Sequence, residues 1–159
     1  MPVSKRDRRG KKYDPNRTIR RVVSAHASRV EASPLTDGQR LGLGLAYHLS
    51  FEAMLSGGTE EAWHALAATL NIALILTERG FGVEFESEIK AAMRALMRTK
   101  YRQQETGSWA LDGDGIAAMR TAMAIHDEQV RIAERGEIRQ AINEVYRRVQ
   151  SGDTYAEAA

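Results

Sequence analysis

Cysteine is absent from this 159-residue chain, and proline occurs only three times, always within the first 34 residues. Without cysteine the chain has no disulfide framework, no thiolate zinc site and no thiol nucleophile. Without proline after Pro34, no later helix is interrupted by a residue that lacks a backbone N–H. Alanine, leucine, glutamate and arginine are abundant instead, and these residues favour helix. The composition therefore predicts an all-α protein.

Long apolar runs are also lacking. The most apolar stretch, ALAATLNIALIL, covers only residues 65–76, which is too short to span a bilayer and typical of a buried helix. The basic N-terminus is not followed by the apolar segment that a secretory signal requires. We therefore expect a soluble, cytoplasmic protein with no membrane partner.

The formal net charge of +2 conceals a sharp division along the chain. Residues 1–30 hold ten lysines and arginines against two aspartates, a net charge of +8, so the remaining residues carry −6. This division predicts a basic arm over residues 1–33, a helical domain over 34–150 and a frayed tail over 151–159. The arm is a solvated tail, a segment that follows nucleic-acid phosphates, or a ligand of an acidic protein groove. Its candidate binding residues are Lys5, Arg6, Arg8, Arg9, Lys11, Lys12, Tyr13, Arg17, Arg20 and Arg21.

Capping and stop signals divide the domain into a compact bundle of four to five helices. Residues 36–39 have capping-box spacing, and Gly57-Gly58 stops the first helix near Ser56. Thr59 caps the second helix. The remaining helices are predicted over about 84–104, 115–135 and 137–150. Apolar residues nearly encircle the first helix, so we expect it at the centre of the fold.

Two boundaries stay open at this point. Either Asp112 or Asp114 caps the fourth helix, since both lie in the turn that precedes it. Gly136 either kinks one long helix or separates the fourth helix from the fifth.

A basic stripe is predicted on the third helix. Its members recur every fourth residue, opposite the apolar face: Lys90, Arg94, Arg98 and Arg102. Such a stripe is either a solvated surface or an extension of the positive footprint of the arm.

The motif MAIHDEQ (123–129) contains the residues most suggestive of chemistry. His126 falls within the apolar stripe of the fourth helix, whereas Asp127 lies on its border. Adjacent helical residues diverge by about 100°, so these two side chains cannot easily hold one ion together. An HD-type phosphohydrolase would also need an upstream histidine, His48 or His64, and a downstream aspartate, for which only Asp153 is available.

Another possible site combines His126 with His48 and Glu52, an i,i+4 pair on the first helix. We favour a structural interpretation for all of them. His48, Glu52, His126 and Asp127 are predicted to be interior polar residues, with His126 hydrogen-bonded between helices and no catalytic or metal-binding role.

Two segments carry a resemblance to a known group: HLSFEAMLSGGTEEAWHALAATLNIALILTERGFG and WALDGDGIAAMRTAMAIHDEQVRIAERGEI. Over roughly residues 36–150 the chain resembles small helical accessory proteins carried by phages and other mobile elements of proteobacteria. The group has no established chemistry to carry onto individual residues. The resemblance implies a protein that acts stoichiometrically, for example as an inhibitor of a host defence such as CRISPR–Cas.

The sequence thus favours a non-enzymatic protein that binds a host protein complex, without a cofactor, in the manner of an anti-CRISPR inhibitor. The alternative is a nucleic-acid-binding accessory factor that uses the basic arm, and a more distant one is an HD-like metal-dependent phosphohydrolase. A homodimer is compatible with either of the first two. We expect no enzyme, because the serine, histidine and acidic residues form no nucleophile or metal arrangement.

Overall fold

A computed structural model describes residues 32–152 of the chain. Five helices follow one another: α1 (Asp37–Leu55), α2 (Glu60–Glu78), α3 (Glu86–Thr106), α4 (Gly113–Ile132) and α5 (Arg135–Ser151). A 3-10 turn, Val83–Phe85, leads into α3. The described part contains no strand, so the predicted all-α class is confirmed. The predicted arm falls almost wholly outside the described residues, as does most of the predicted tail.

The predicted capping signals are confirmed at the first two helices. The Gln39 N–H donates to Thr36 Oγ1, and Gln39 Oε1 accepts the Thr36 N–H at 3.0 Å, which completes the capping box. Thr59 Oγ1 accepts the Ala62 N–H at 3.1 Å. These bonds satisfy N–H groups that would otherwise have no partner in the first turn of a helix.

The central helix is α2, which packs against each of the other four helices. Leu66, Leu70, Ala73 and Leu76 along it are fully buried. The predicted central position of α1 is therefore wrong. Its contacts are mainly with α2 and α4, and it turns only three residues into the core: Tyr47, Phe51 and Met54. Apolar residues all round a helix do not reveal which side the core covers.

The α4–α5 boundary is made by a contact between distant parts of the chain. The Arg135 N–H donates to the Ser33 carbonyl at 3.0 Å, and Pro34 forms an isolated antiparallel bridge with Glu134. Ala133 and Glu134 adopt extended conformations to make this contact, so α4 ends at Ile132, three residues earlier than predicted. The two helices are separate, and Gly136, the expected break, is buried in the first turn of α5.

Leu35 stabilises the same contact through its buried side chain. Its side chain is buried in a small apolar cluster with residues from α2, α4, the α4–α5 junction and α5: Ile75, Leu76, Val130, Ala133, Ile138 and Ala141. A larger cluster fills the space between α1, α2, α3 and α4. The bundle therefore has a main core and a second core closed by the segment that precedes α1.

Both tryptophans of the chain lie at one end of the main core. Trp63 Nε1 donates to the Leu96 carbonyl at 2.8 Å, and the Trp109 ring lies 5.9 Å from the Trp63 ring. Gly58 has φ +75°, and a Cβ there would lie 2.5 Å from the Trp109 carbonyl oxygen. A side chain at residue 58 would therefore push apart the α1–α2 turn and the loop before α4.

The helices between residues 32 and 152 include none that is long and apolar enough to cross a membrane.

Candidate functional site

A groove runs between α1 and α5 and opens to solvent on one side. Its volume is about 280 Å³. The walls come from α1 and α5, and the floor comes from α2 with His126 of α4: Leu43, Ala46, Tyr47, Ser50, Ala65, Thr69, Ile72, His126, Ile138 and Ile142. None of these residues carries a permanent charge. A second cavity, between α2 and α3, has a volume of only about 30 Å³ and can hold no more than a water molecule.

His126 is 4% exposed and is held by a residue of its own helix. Its Nδ1 lies 3.2 Å from Gln129 Oε1. The expectation of a bond between helices is therefore wrong for His126 itself. Gln129 makes the connection instead, because its Nε2 reaches Ala73 O at 3.0 Å, Thr77 Oγ1 at 3.0 Å and Phe81 O at 2.9 Å.

This network determines which ring nitrogen of His126 carries the proton. Three oxygens surround the amide nitrogen of Gln129, so the amide oxygen is the atom that faces His126. An amide oxygen only accepts, so Nδ1 of His126 carries the proton and Nε2 carries a free lone pair. Burial, the largest influence, lowers the pKa of His126 below its ordinary value of 6.5, which keeps the ring neutral.

Nε2 of His126 opens onto the groove. No hydrogen-bond partner reaches it from residues 32–152, and the only fully buried side-chain nitrogen or oxygen there that lacks a partner is Arg135 Nε. Nε2 is consequently not sealed within protein, and the groove is the space that His126 lines. The groove is therefore mainly apolar and offers the Nε2 acceptor of His126 beside the hydroxyl groups of Ser50 and Thr69.

Tyr47 joins the groove to a polar cluster on the neighbouring surface. Its ring lies 5.1 Å from the His126 ring and 4.8 Å from the His48 ring, and its hydroxyl donates to Asp127 Oδ1. Burial raises the pKa of Tyr47, and the hydrogen bond to the Asp127 carboxylate raises it further. The hydroxyl therefore stays protonated and acts as a donor, not as a base.

The sequence prediction of interior positions holds for His126 alone. His48 and Asp127 are each 46% exposed, and Glu52 is exposed as well. His48 pairs with Asp127, since its Nε2 lies 3.0 Å from both carboxylate oxygens. The possible site of His48, Glu52 and His126 is not assembled, because Glu52 contributes nothing to this cluster.

The residues of the HD-type alternative also lack the geometry that a metal-dependent phosphohydrolase site needs. His126 turns into the groove floor, whereas Asp127 turns to His48 on the surface, so the adjacent pair diverges as the helical geometry predicts. No three histidine, aspartate or glutamate residues converge on one point within residues 32–152. Asp153, the fourth member required, lies outside the described residues.

The basic stripe of α3 is largely paired with acids. Arg98 and Arg102 both bind Asp112, at 3.3 and 3.0 Å, and Lys90 pairs with Glu86. Arg98, with Arg102 and the Gly115 N–H, lowers the pKa of Asp112 to about 2. These arginines therefore hold the loop before α4. Arg94 is exposed and has no ion pair among the described residues.

The candidate residues of the basic arm, Lys5 to Arg21, lie outside the described residues. Their role stays a prediction.

The residues predicted from the sequence to belong to a site include neither Gln129 nor Tyr47. Gln129 lies three residues after His126, on the same helix face, and this spacing was a usable signal for a hydrogen-bond partner. Its acceptors at Ala73, Thr77 and Phe81 are 48 to 56 residues distant. Nothing local in the sequence indicates them.

Comparison with known proteins identifies no relative of this chain. No protein-family model, no curated protein and no solved structure matches the chain.

Proposed function

We propose that this protein is a non-enzymatic binding module that seats an apolar segment of a partner protein in the α1–α5 groove. The observation that carries the proposal is the groove itself, with its apolar walls and the Nε2 acceptor of His126 at the floor. An amphipathic helix that lays its apolar face into a hydrophobic groove is a recurring mode of protein recognition.

The size of the groove favours a protein segment over a small molecule. Small-molecule sites usually enclose about 300–1,000 Å³ and bury most of the ligand. This groove holds about 280 Å³ and is open on one side. It suits one or two large side chains that project from a longer segment, the rest of which lies across the rim.

His126 gives the groove a chemical preference. A partner side chain that reaches the floor must bring a hydrogen-bond donor to Nε2, since an unpaired buried acceptor costs about 1–3 kcal/mol. Tryptophan meets both needs, because its indole is large and apolar and its Nε1–H is a donor. A donor-bearing aromatic anchor is therefore the side chain we assign to the floor.

The partner class follows from the resemblance to mobile-element accessory proteins. We assign a protein assembly of a proteobacterial host, with inhibition of a defence system of the CRISPR–Cas type as the biological role. The +8 charge of residues 1–30 would speed the encounter with an acidic partner surface, whereas the groove would hold the complex together.

Nucleic-acid binding is the second candidate, and the charge of residues 1–30 is the observation that favours it. Two features of the helical domain count against it. Arg98 and Arg102 are committed to Asp112, and the groove offers no cation to a phosphate.

The test is a capture experiment with a filled groove. Ala65 lies on the groove floor and is half-buried, so Ala65→Phe occupies the groove without displacing the core. The matched control is Ala124→Phe, at an exposed position of α4 outside the groove. Each protein is used to capture partners from a nuclease-treated proteobacterial lysate, and its melting temperature is measured.

We expect the wild-type protein and Ala124→Phe to retain the same stoichiometric protein partner at moderate salt. Ala65→Phe should lose that partner with its melting temperature unchanged or raised. A partner retained equally by Ala65→Phe would contradict the proposal. Binding that nuclease abolishes, and that weakens steeply with salt, would favour the nucleic-acid candidate instead.

A further inference from the structure

We propose that the α1–α5 groove has an internal ligand, a helix formed by residues 15–30 of the same chain, which a partner must displace. These residues precede the described part of the chain, which begins at residue 32. As a regulation of partner binding the inference rests on the proposed function, although the docking of the helix can be measured without any partner. It is supported by the sequence of the segment, by the place where the described chain begins and by the chemistry of the groove floor.

The sequence of this segment carries the signals of a helix of its own. Asp14 is a favoured N-cap residue, and it is followed by Pro15, the residue preferred at the first helical position. The next proline is Pro34, so no residue between the two interrupts a helix for want of a backbone N–H. The pattern therefore predicts a helix of about 16 residues, about 24 Å long.

The predicted helix has one apolar face. At about 100° per residue, a sector of about 140° contains no charged side chain. It is formed by residues that recur three and four apart: Ile19, Val22, Val23, His26, Ala27 and Val30. The arginines of the segment all lie outside this sector. A helix of this length is marginal in water by itself, so the apolar face needs a surface on which to pack.

The described chain begins at one end of the groove. The Ser33 carbonyl accepts the Arg135 N–H at the start of α5, one turn before the groove residue Ile138. The guanidinium of Arg135 donates to Gln39 Oε1 at 2.9 Å, one turn before the groove residue Leu43 of α1. These bonds join the two walls at what we call the closed end of the groove, and the chain enters the described part there.

A short connection from the closed end places the predicted helix beside α1. Residues 31–36 separate it from Asp37, where α1 begins. Helices joined by so few residues usually pack as antiparallel neighbours. In that arrangement the predicted helix runs along the groove, with α1 on one side, α5 on the other and α2 beneath it.

His26 supplies what the groove floor lacks. It lies on the apolar face, seven residues before Ser33, about 10 Å back along the helix. Tyr47 lies eight residues after Gln39, about 12 Å along α1, and its ring is 5.1 Å from the His126 ring. The two histidines therefore lie at the same level of the groove. A neutral imidazole has one N–H, so His26 can donate to Nε2 of His126, which has no donor among residues 32–152.

The docking should be reversible. A groove of about 280 Å³ accepts only part of the apolar face, and the cost of ordering a helix that is marginal alone offsets much of the gain from burying it. We therefore expect docked and undocked molecules in comparable amounts, so that residues 1–31 add little to the free energy of unfolding. Only the undocked form can seat a partner, so docking raises the apparent dissociation constant by the inverse of the undocked fraction.

The absence of cysteine makes the docking measurable in the full chain. Val22 lies eleven residues before Ser33, and Ser50, which lines the groove, lies eleven residues after Gln39, so both are about 16 Å from the closed end. Val22→Cys with Ser50→Cys should form an intramolecular disulfide under mild oxidation. The control pairs Val22→Cys with Ala124→Cys, at an exposed position outside the groove. A flexible tether alone supplies only a millimolar effective concentration, so we expect the control to react at least about tenfold more slowly.

Three further substitutions in the Val22–Ser50 double-cysteine protein test the contacts. Ala65→Phe, which fills the groove, should lower the rate of disulfide formation to that of the control pair. His26→Phe keeps an aromatic ring but removes the N–H, and it should slow the reaction about threefold or more, because the acceptor in the groove is left without a donor. Ser28→Phe changes the opposite face of the predicted helix and should have no effect.

The same protein connects the docking to partner binding. With its disulfide closed, the Val22–Ser50 double-cysteine protein should lose the partner that its reduced form captures from the lysate. A locked protein that captures as much partner as the reduced form would overturn the regulation.

Other results bear on the docking itself. Equal rates for the two cysteine pairs would overturn it, as would a fast disulfide that Ala65→Phe leaves unchanged, and neither result would count against a partner in the groove. Disulfide-linked dimers in place of the intramolecular bond would show that the helix docks on a second copy, which also contradicts the inference. If Ala65→Phe abolishes fast disulfide formation but still captures the partner, the docking is supported and the proposed function is wrong.

Discussion

At the scale of single residues, His126 shows how one hydrogen bond decides what a buried histidine offers its surroundings. Gln129 Oε1 accepts the hydrogen bond from the Nδ1–H of His126 and leaves Nε2 as an acceptor towards the groove. Protonation of Nε2 would place a positive charge on a ring that is 4% exposed, and burial opposes this. Asp127 favours the charged ring and His48 disfavours it, but both act more weakly than burial.

The stability of the protein should therefore fall in mild acid because of His126. Its pKa is lowered in the folded state, so below the ordinary value of 6.5 the unfolded chain binds a proton that the folded chain refuses. The free energy of unfolding should decrease by up to about 1.4 kcal/mol per pH unit in that window and stay level above it. Urea unfolding between about pH 8 and 5 measures this slope.

Two variants test whether His126 causes this pH dependence of the free energy of unfolding. His126→Gln should remove much of it and cost about 1–3 kcal/mol near neutral pH, since it removes the buried imidazole whose Nδ1–H Gln129 Oε1 accepts. His64→Gln is the control, because the His64 side chain is 65% exposed, and it should preserve the slope. An unchanged slope in His126→Gln would show that a different group controls the acid sensitivity.

At the scale of helices, the start of α4 depends on one side chain that serves two elements. Asp112 is the cap, since its Oδ1 accepts the Gly115 N–H at 2.6 Å, and its carboxylate also receives Arg98 and Arg102 from α3. Asp114 lies two residues further on, within the first turn of α4, and makes no capping bond. The sequence left these two aspartates as alternatives because both precede the same apolar stripe.

Substitution of each aspartate by alanine should separate their roles. Asp112→Ala removes the cap and should lower the free energy of unfolding by about 0.5–2 kcal/mol. Asp114→Ala removes only a favourable charge near the positive end of the helix, which is worth about 0.3–1 kcal/mol. Thermal melts followed by circular dichroism compare the two. Equal losses would mean that Asp112 acts as a charge and not as a cap.

Local signals in the sequence sufficed for most helix boundaries but not for helix environments. Thr36, Thr59 and Gly58 mark their turns through bonds or conformations that involve near neighbours. The end of α4 at Ile132 escaped prediction because Ser33 and Pro34, about a hundred residues earlier, cause it. For the same reason the pairing of His48 with Asp127, 79 residues apart, was not foreseen.

At the scale of the whole molecule, the segment before α1 belongs to the folded domain. Leu35 is buried in the second core, and residues 33 and 34 make backbone contacts with the α4–α5 junction. The domain therefore begins a few residues before the capping box that the sequence marks as its first structural signal.

Two fragments test this boundary. Residues 32–152 should unfold cooperatively, with a stability close to that of the full chain. Residues 36–152 should be helical but less stable by about 1.5–3 kcal/mol, the contribution of one buried leucine. Urea titration followed by circular dichroism gives both values. Equal stability of the two fragments would mean that the contacts of residues 33–35 add nothing to the fold.

The position of the two tryptophans determines what intrinsic fluorescence can report about this protein. Trp63 and Trp109 are the only two indoles in the chain, and both lie among α2, α3 and the loop before α4, away from the groove lining. Their combined fluorescence emission therefore reports whether that end of the bundle is intact. A partner that has no tryptophan of its own and merely fills the groove leaves the emission unchanged, so a spectral shift on its binding would signal that the bundle itself had rearranged.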